Sequence, residues 1–382
     1  MRRWPTVKLG DVIHVHIDAV PSATLTSVSL AGVYGFGRGL FQRGPIAPQE
    51  TTYKNFHLLH AGDFVISSPK AWEGALARIP EEMDGWYLSP VFATFRATDD
   101  LDTRYLDWYC KRETVWRQLQ GKARGMGARR ESVSAAQFLS LQILLPPLAE
   151  QQAIISRLDT LADKAREVNE HLDAIERDAD RLLAVRFRDA IANAPLRPMA
   201  EVAPLVRREA TIELEGSYPE LGIRSFGKGT FHKPPLTGAD VGTKRLFSIE
   251  PGDLLFSNVF AWEGAIAVAQ PEDAGRFGSH RFITCRIDPE ITSAEFLRYY
   301  FLTDPGLEKI GKASPGGAGR NRTLGLEKLM AIKVPIPSCA VQGTFDALQA
   351  KVAALKTRHA TIREASDALI PATLERVFVG AG

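Results

Sequence analysis

The stretch Ala71-Trp-Glu-Gly-Ala75 recurs unchanged as Ala261-Trp-Glu-Gly-Ala265. Other pieces keep the same offset. Gly32-Val-Tyr-Gly-Phe-Gly-Arg-Gly-Leu-Phe41 meets Gly222-Ile-Arg-Ser-Phe-Gly-Lys-Gly-Thr-Phe231, and Ala61-Gly-Asp-Phe64 meets Pro251-Gly-Asp-Leu254. After Tyr105-Leu-Asp-Trp-Tyr109 and Phe296-Leu-Arg-Tyr-Tyr300 the offset drifts by one residue, and Gly125-Met-Gly-Ala-Arg129 meets Gly316-Gly-Ala-Gly-Arg320. Chance likeness of short motifs would not hold one offset over such a span, so the chain is a tandem duplication. Each copy reads as short strands, an aromatic helix, a glycine-rich basic loop and a last strand, followed by one long helix.

The long helices follow from apolar spacing. Leu158, Leu161, Ala165, Val168, Leu172, Ile175, Ala179 and Leu182 alternate in threes and fours, the a/d pattern of a coiled-coil seam. Neither Pro nor Gly interrupts the run from Leu148 to Pro195. A narrow apolar seam needs a partner helix, because each buried Leu or Ile contributes roughly 1.5–3 kcal/mol. Phe345, Leu348, Val352, Leu355, His359, Ile362, Ser366 and Leu369 repeat the spacing near the other end and supply the candidate. Two of those positions are polar, as a register-setting device or as a weaker seam. Pro371 is expected to stop or kink this second helix.

The totals fit a soluble globular chain of two or three domains: 382 residues, 45% hydrophobic and 24% charged. A formal net charge of +2 neither requires nor excludes nucleic acid, so the distribution of charge must decide. Cys110, Cys285 and Cys339 are scattered and odd in number, which argues for reduced thiols and a cytoplasmic setting. No apolar run is long enough for a membrane span, and Met1-Arg-Arg-Trp-Pro has no signal-peptide core behind it.

The basic residues gather around the repeated loops. Lys122, Arg124, Arg129 and Arg130 lie on or beside Gly121, Gly125 and Gly127; Lys309, Lys312, Arg320 and Arg322 flank Gly311, Gly316, Gly317 and Gly319. Glycine lets backbone approach phosphates, and arginine supplies charge and forked donors. A solvated loop is the bland alternative. Arg38 and Lys228 sit in the Phe-Gly-Arg-Gly and Phe-Gly-Lys-Gly turns, which read equally as DNA-facing or structural. Neither turn is a dinucleotide fingerprint or a P-loop. Trp72 and Trp262 read as core packing beside a tight turn, with a place at a binding face as the alternative. Their neighbours Lys70 and Asn258 differ between copies, as two readers of different base sequences would. Arg38, Lys70, Lys122, Arg124, Arg129, Arg130, Lys228, Asn258, Lys312, Arg320 and Arg322 are the DNA-binding candidates.

Catalysis finds little support. His14 and His16 have no repeat counterpart; His57, His60, His232 and His280 lack Cys or Asp partners at ligand spacing. Nucleophile-elbow, Walker and HExxH motifs are absent, as are the methyltransferase Asn/Asp-Pro-Pro-Tyr/Phe tetrapeptide and a nuclease constellation. No catalytic or metal-ligating residue is assigned.

Leu145-Pro-Pro-Leu-Ala-Glu-Gln-Gln152, opening the first long helix, is similar to the Pro-Pro-x-x-Glu-Gln signature of the specificity subunits of Type I restriction–modification systems. Ile336-Pro337 with Gln342 is a degraded second copy, in which Val341 replaces the Glu. The segment Leu369-Ile-Pro-Ala-Thr-Leu-Glu-Arg-Val-Phe378 also resembles that family, and the likeness spans essentially the whole chain. It implies a mixed α/β fold with two tandem target-recognition domains, inverted with respect to each other and separated by an antiparallel coiled coil with pseudo-twofold symmetry. The expected layout is recognition domain 1–148, long helix 149–194, recognition domain 195–338 and long helix 339–382. It further implies a non-catalytic subunit. Each domain would read half of a bipartite, asymmetric site on double-stranded DNA, with half-sites about one helical turn, roughly 34 Å, apart. Two modification subunits would carry S-adenosylmethionine and methylate adenine at N6 after base flipping, and restriction subunits would use ATP and Mg2+. No cofactor is expected on this chain, and no membrane partner. A modification-only complex, a coiled-coil scaffold that does not bind DNA, and a fused enzyme are the alternatives.

Overall fold

The structure, a computed structural model, describes residues 4–120, 132–316 and 322–379. It is a mixed α/β fold in two compact units. One unit runs to Asp173 and takes the chain back from His359 onward; the other is Ala174–Arg358. Both long helices pass from one unit to the other.

In the first unit a four-stranded antiparallel sheet has the order Ile13–Val15, Phe92–Ala97, Phe64–Ser67 and Leu76–Arg78. Phe64–Ser67 is buried at every position, as expected of a short continuous apolar run between covered faces. The second sheet is five-stranded and contains the hairpin Val28–Val33 with Leu40–Ile46. Thr6–Lys8 pairs with Gln142–Leu144 and so brings the two ends of the first globular repeat together. In the core Phe138 stacks on Phe64 at 5.8 Å and meets Phe95 at a tilt, 5.1 Å away. Helix Thr103–Cys110 adds Tyr105 and Tyr109, and these meet Phe378 at 5.6 and 5.0 Å. The aromatic helix of this copy, Thr103–Cys110, is followed at once by a second helix, Glu113–Gln120.

The second unit repeats this plan. Ile266–Val268, Leu254–Ser257 and Phe282–Cys285 form one sheet, and the hairpin Ser217–Ile223 with Thr230–Thr237 belongs to the other. Leu196–Pro198 pairs with Lys333–Pro335. Phe187, Phe296 and Phe345 close the core within 5.0–5.8 Å of one another.

The first long helix is Leu148–Ile191 and the second is Cys339–Val379. At 1.5 Å per residue the first is about 66 Å long. Pro371 does not stop the second helix, which continues through it with Leu374 and Phe378 each 2% exposed in the first unit's core. Their burial outweighs the one backbone hydrogen bond a proline removes. Within the first unit the helices run antiparallel: Asp173 pairs with Arg363, while Leu158 shares a core cluster with Leu374 and Phe378. Within the second, Asp180 pairs with Lys356 and Phe187 packs at a tilt against Phe345.

The seam differs from the expected one by a single residue at every other position. Leu158, Leu172, Phe345, Val352 and His359 are buried, and Ala165, Ala179 and Ser366 are half-buried. Val168, Ile175, Leu182, Ile362 and Leu369 are 41–46% exposed, and Leu161, Leu348 and Leu355 are half-buried. The intervening seam positions belong to Ala162, Asn169, Glu176 and Leu183 on one helix and to Gln349, Lys356, Arg363 and Ile370 on the other. Either division of the heptad around the same anchors keeps the three-four rhythm. The one adopted puts Arg363 beside Asp173 at 2.7 Å and the Asn169 carbonyl at 3.4 Å, and Lys356 beside Asp180 at 2.6 Å. Among the described residues no helix is long and apolar enough to cross a membrane.

Candidate nucleic-acid interface

In each unit three repeated elements converge: the turn of the long hairpin, the Trp-Glu-Gly turn, and the edges of the glycine-rich basic segment. The hairpin turn in the first unit exposes alternate side chains, Tyr34, Phe36 and Arg38. Its backbone is tied to the Trp-Glu-Gly turn: Phe36 N–H donates to Glu73 O at 2.8 Å and Gly37 N–H to Gly74 O at 2.9 Å. Gly74 has φ +78°, and an added Cβ there would lie 2.6 Å from the Trp116 ring. Glycine is therefore required where helix Glu113–Gln120 crosses the turn.

The second unit reproduces the arrangement. Arg224, Phe226 and Lys228 are the exposed side chains. Phe226 N–H donates to Glu263 O and Gly227 N–H to Gly264 O, both at 2.8 Å, while Ser225 Oγ donates to Glu263 Oε2 at 3.1 Å. The chain that follows each basic segment is fixed close by these turns. Val133 N–H donates to Ser68 O at 2.8 Å, and Leu324 N–H donates to Asn258 O at 2.8 Å.

Cations and rings alternate across each surface. The Arg38 guanidinium lies over Tyr34 at 4.9 Å, and Lys70 Nζ lies 5.5 Å from the Trp72 ring while bonding Glu73 at 2.7 Å. In the second unit Lys228 Nζ is 5.9 Å from Phe226, and the Arg322 guanidinium is 5.2 Å over Trp262. Such cation–π contacts leave the charge available to solvent while fixing its direction. Trp72 and Trp262 are half-buried, each indole donating to a backbone carbonyl three residues back, so they pack and border the surface at once.

Not every sequence candidate stands on this surface. Lys312 is on helix Asp304–Ala313 and is paired with Glu308 at 2.6 Å. Asn258 holds the returning chain through its backbone, and its Oδ1 is buried without a hydrogen-bond partner, so it does not face solvent. Lys122, Arg124, Arg129, Arg130 and Arg320 lie outside the described residues. The exposed aromatics Tyr34, Phe36 and Phe226 were not among the candidates. The only sequence signal for them was the identical Phe-Gly-x-Gly spacing in both copies.

The Pro-Pro-x-x-Glu-Gln motif is structural. Trp4 Nε1 donates to the Glu150 carboxylate at 2.8 Å. Gln151, fully buried, accepts from Asp102 N–H and donates to Asp100 O and Pro146 O, each at 2.9 Å. Gln342 does the same in the second unit, accepting from Ser293 N–H and Thr292 Oγ and donating to Ile291 O and Pro337 O. The histidines make single-carboxylate contacts that no sequence spacing revealed, His16 with Asp63, His60 with Asp18 and His232 with Asp273. Among the described residues no group of three or more His, Cys, Asp or Glu side chains is placed to hold a metal ion.

Residues 1–177 match the family model of the Type I restriction modification DNA specificity domain. Two solved structures share the fold over nearly the whole chain. The HsdS subunit from Thermoanaerobacter tengcongensis has a TM-score of 0.60 at 19% identity, covering 99% of this chain and 97% of that one. A chain from structural work on complex assembly and conformational transition of the type I R-M system has a TM-score of 0.70 at 20% identity, covering 100% and 98%. At these identities the likeness is one of fold. No curated protein sequence gives a significant match. The repeated hairpin turn and Trp-Glu-Gly turn of the first unit lie within the matched segment, and the second unit carries their structural repeat.

Proposed function

We propose that this chain is the non-catalytic DNA-recognition subunit of a Type I restriction–modification complex, each unit reading one half of a bipartite asymmetric site on double-stranded DNA. The observation that carries this reading is the same cation-and-ring surface, on the same backbone hydrogen bonds, in both units. The cations would position each unit on phosphates, and the side chains that differ between copies would separate the two half-sites. The paired long helices would fix the spacer between them.

The exposed apolar residues of the helix pair support recruitment of partner subunits. In an antiparallel pair, the residue before each of these seam positions falls on the same flank of both helices. In the first unit this places Val168, Ile362 and Leu369 together, all more than 40% exposed. Two modification subunits would occupy such flanks and supply S-adenosylmethionine chemistry, with restriction subunits bringing ATP and Mg2+. This chain would hold no cofactor of its own.

The test is a map of N6-methyladenine in the host genome with and without the gene. Loss of methylation at one bipartite motif is the expected result. An unchanged map, together with absence of salt-sensitive duplex binding by the subunit and its methyltransferase, would overturn the reading in favour of a scaffold.

A further inference from the structure

Phe36 and Phe226 are the only non-glycine residues with positive φ among the described residues, each at 61°. They occupy equivalent places in the two units. Phe36 is 65% exposed and Phe226 74%, more than any other large aromatic side chain described. A left-handed backbone is strained for phenylalanine and unstrained for glycine, and an exposed benzyl group gains almost nothing from the fold. Among the ring and cation contacts of the described residues, Phe36 makes one edge contact with Trp116 at 6.2 Å, and Phe226 has the Lys228 ammonium 5.9 Å from its ring. Folding alone thus gives no reason for phenylalanine at either position.

The turn that holds each ring is rigid. Two backbone hydrogen bonds fasten it to the Trp-Glu-Gly turn, so the ring projects on an ordered support. Arg38 and Lys228 are exposed two residues further on, and Tyr34 and Arg224 two residues before. A projecting apolar ring flanked by cations matches the chemistry of a duplex, with phosphates outside and an apolar base stack inside.

We infer that Phe36 and Phe226 are apolar wedges, each entering a base step of its own half-site while the neighbouring cations hold the phosphates. Apolar side chains used in this way unstack one step and bend the duplex. The unstacking would read deformability at the step it enters and add specificity where no base edge is contacted. This inference rests on the DNA-recognition reading and goes beyond it in naming the contact.

The test begins with the full chain, co-expressed with its methyltransferase, selecting bound duplexes from a randomised pool. The selected site is then substituted with 2-aminopurine one position at a time. Fluorescence should rise on binding at one step in each half-site. The Phe36→Gly variant should lose the rise in one half only, Phe226→Gly in the other. Each should bind about tenfold more weakly with an unchanged salt slope. Both variants should fold, since glycine suits φ of 61°, and unchanged thermal melting checks this. Phe36→Leu, still apolar, should keep the rise. Selection of a site without any 2-aminopurine response would overturn the wedge and leave DNA recognition standing. Failure to select any duplex would overturn both.

Discussion

The buried Gln151 side chain accepts a hydrogen bond from the backbone N–H of Asp102 at 2.9 Å. With its bonds to Asp100 O and Pro146 O, it ties the start of the first long helix to the loop that caps helix Thr103–Cys110. Gln342 makes the equivalent clasp in the second unit. Each domain is thereby registered on its own long helix.

Gln151→Ala strands one buried donor and two buried carbonyls, and should destabilise the protein by about 3 kcal/mol. Gln342→Ala should act similarly. Urea denaturation of each variant checks this, and a change of only a few tenths of a kcal/mol would mean that water replaces the amide.

The position of the seam makes opposite predictions for neighbouring apolar residues. Leu172 is 7% exposed and Val168 is 41% exposed. Leu172→Ala should cost about 2–4 kcal/mol, whereas Val168→Ser should change stability by about 0.5 kcal/mol or less. Val168→Ser should instead weaken co-purification of the modification subunit. Equal destabilisation by both would restore the seam expected from spacing.

Arg208 binds Asp253 through two hydrogen bonds, at 2.6 and 3.2 Å, and the Asp253 side chain is 3% exposed. Arg208→Leu leaves a buried carboxylate without its cation and should cost about 3–5 kcal/mol. The loss should be much smaller in the double variant Arg208→Leu, Asp253→Leu, measured by chemical denaturation as a double-mutant cycle.

Thiol labelling should separate the three cysteines. Burial pushes the Cys285 thiol up to about 12, and burial raises Cys110 still further, whereas Cys339 is exposed. At pH 8, iodoacetamide should modify Cys339 alone in the native protein and all three in denaturant, as read by peptide mass mapping. Native labelling of Cys110 would mean that the aromatic core of the first unit opens.

If the helix pair sets the spacer, a heptad inserted after Ala165 with a matched heptad after Ala368 should lengthen it. Both half-sites of the methylated motif should remain. An insert in one helix alone should disrupt the Arg363–Asp173 level and lower stability. An unchanged spacer in the matched variant would refute the ruler.

The duplication and both long helices were legible because identity at fixed offset and uninterrupted heptads are local properties. The seam was legible only in part. Leu158, Ala165, Leu172 and Ala179 satisfy either division of the heptad, and only the facing helix chooses between them. Asn169 and Glu176 read as surface residues, yet they occupy seam positions. Charge singled out Arg38, Lys70, Lys228 and Arg322, and the structure sets each beside an aromatic ring at the repeated turns. Phe36 and Phe226 escaped notice because nothing in a Phe-Gly turn announces that the phenylalanine, and not only its glycine neighbours, takes the left-handed conformation.

Leu374 and Phe378 complete the core that begins at Trp4. The ribosome therefore makes the whole of the second unit before it releases the residues that finish the first. The earlier-made domain is the later to close, and its aromatic core at Tyr105 and Tyr109 waits uncovered throughout that interval. Synthesis of this chain is thus a nested process, and a released chain truncated short of Leu374 would leave the first unit open to proteolysis while the second could still close.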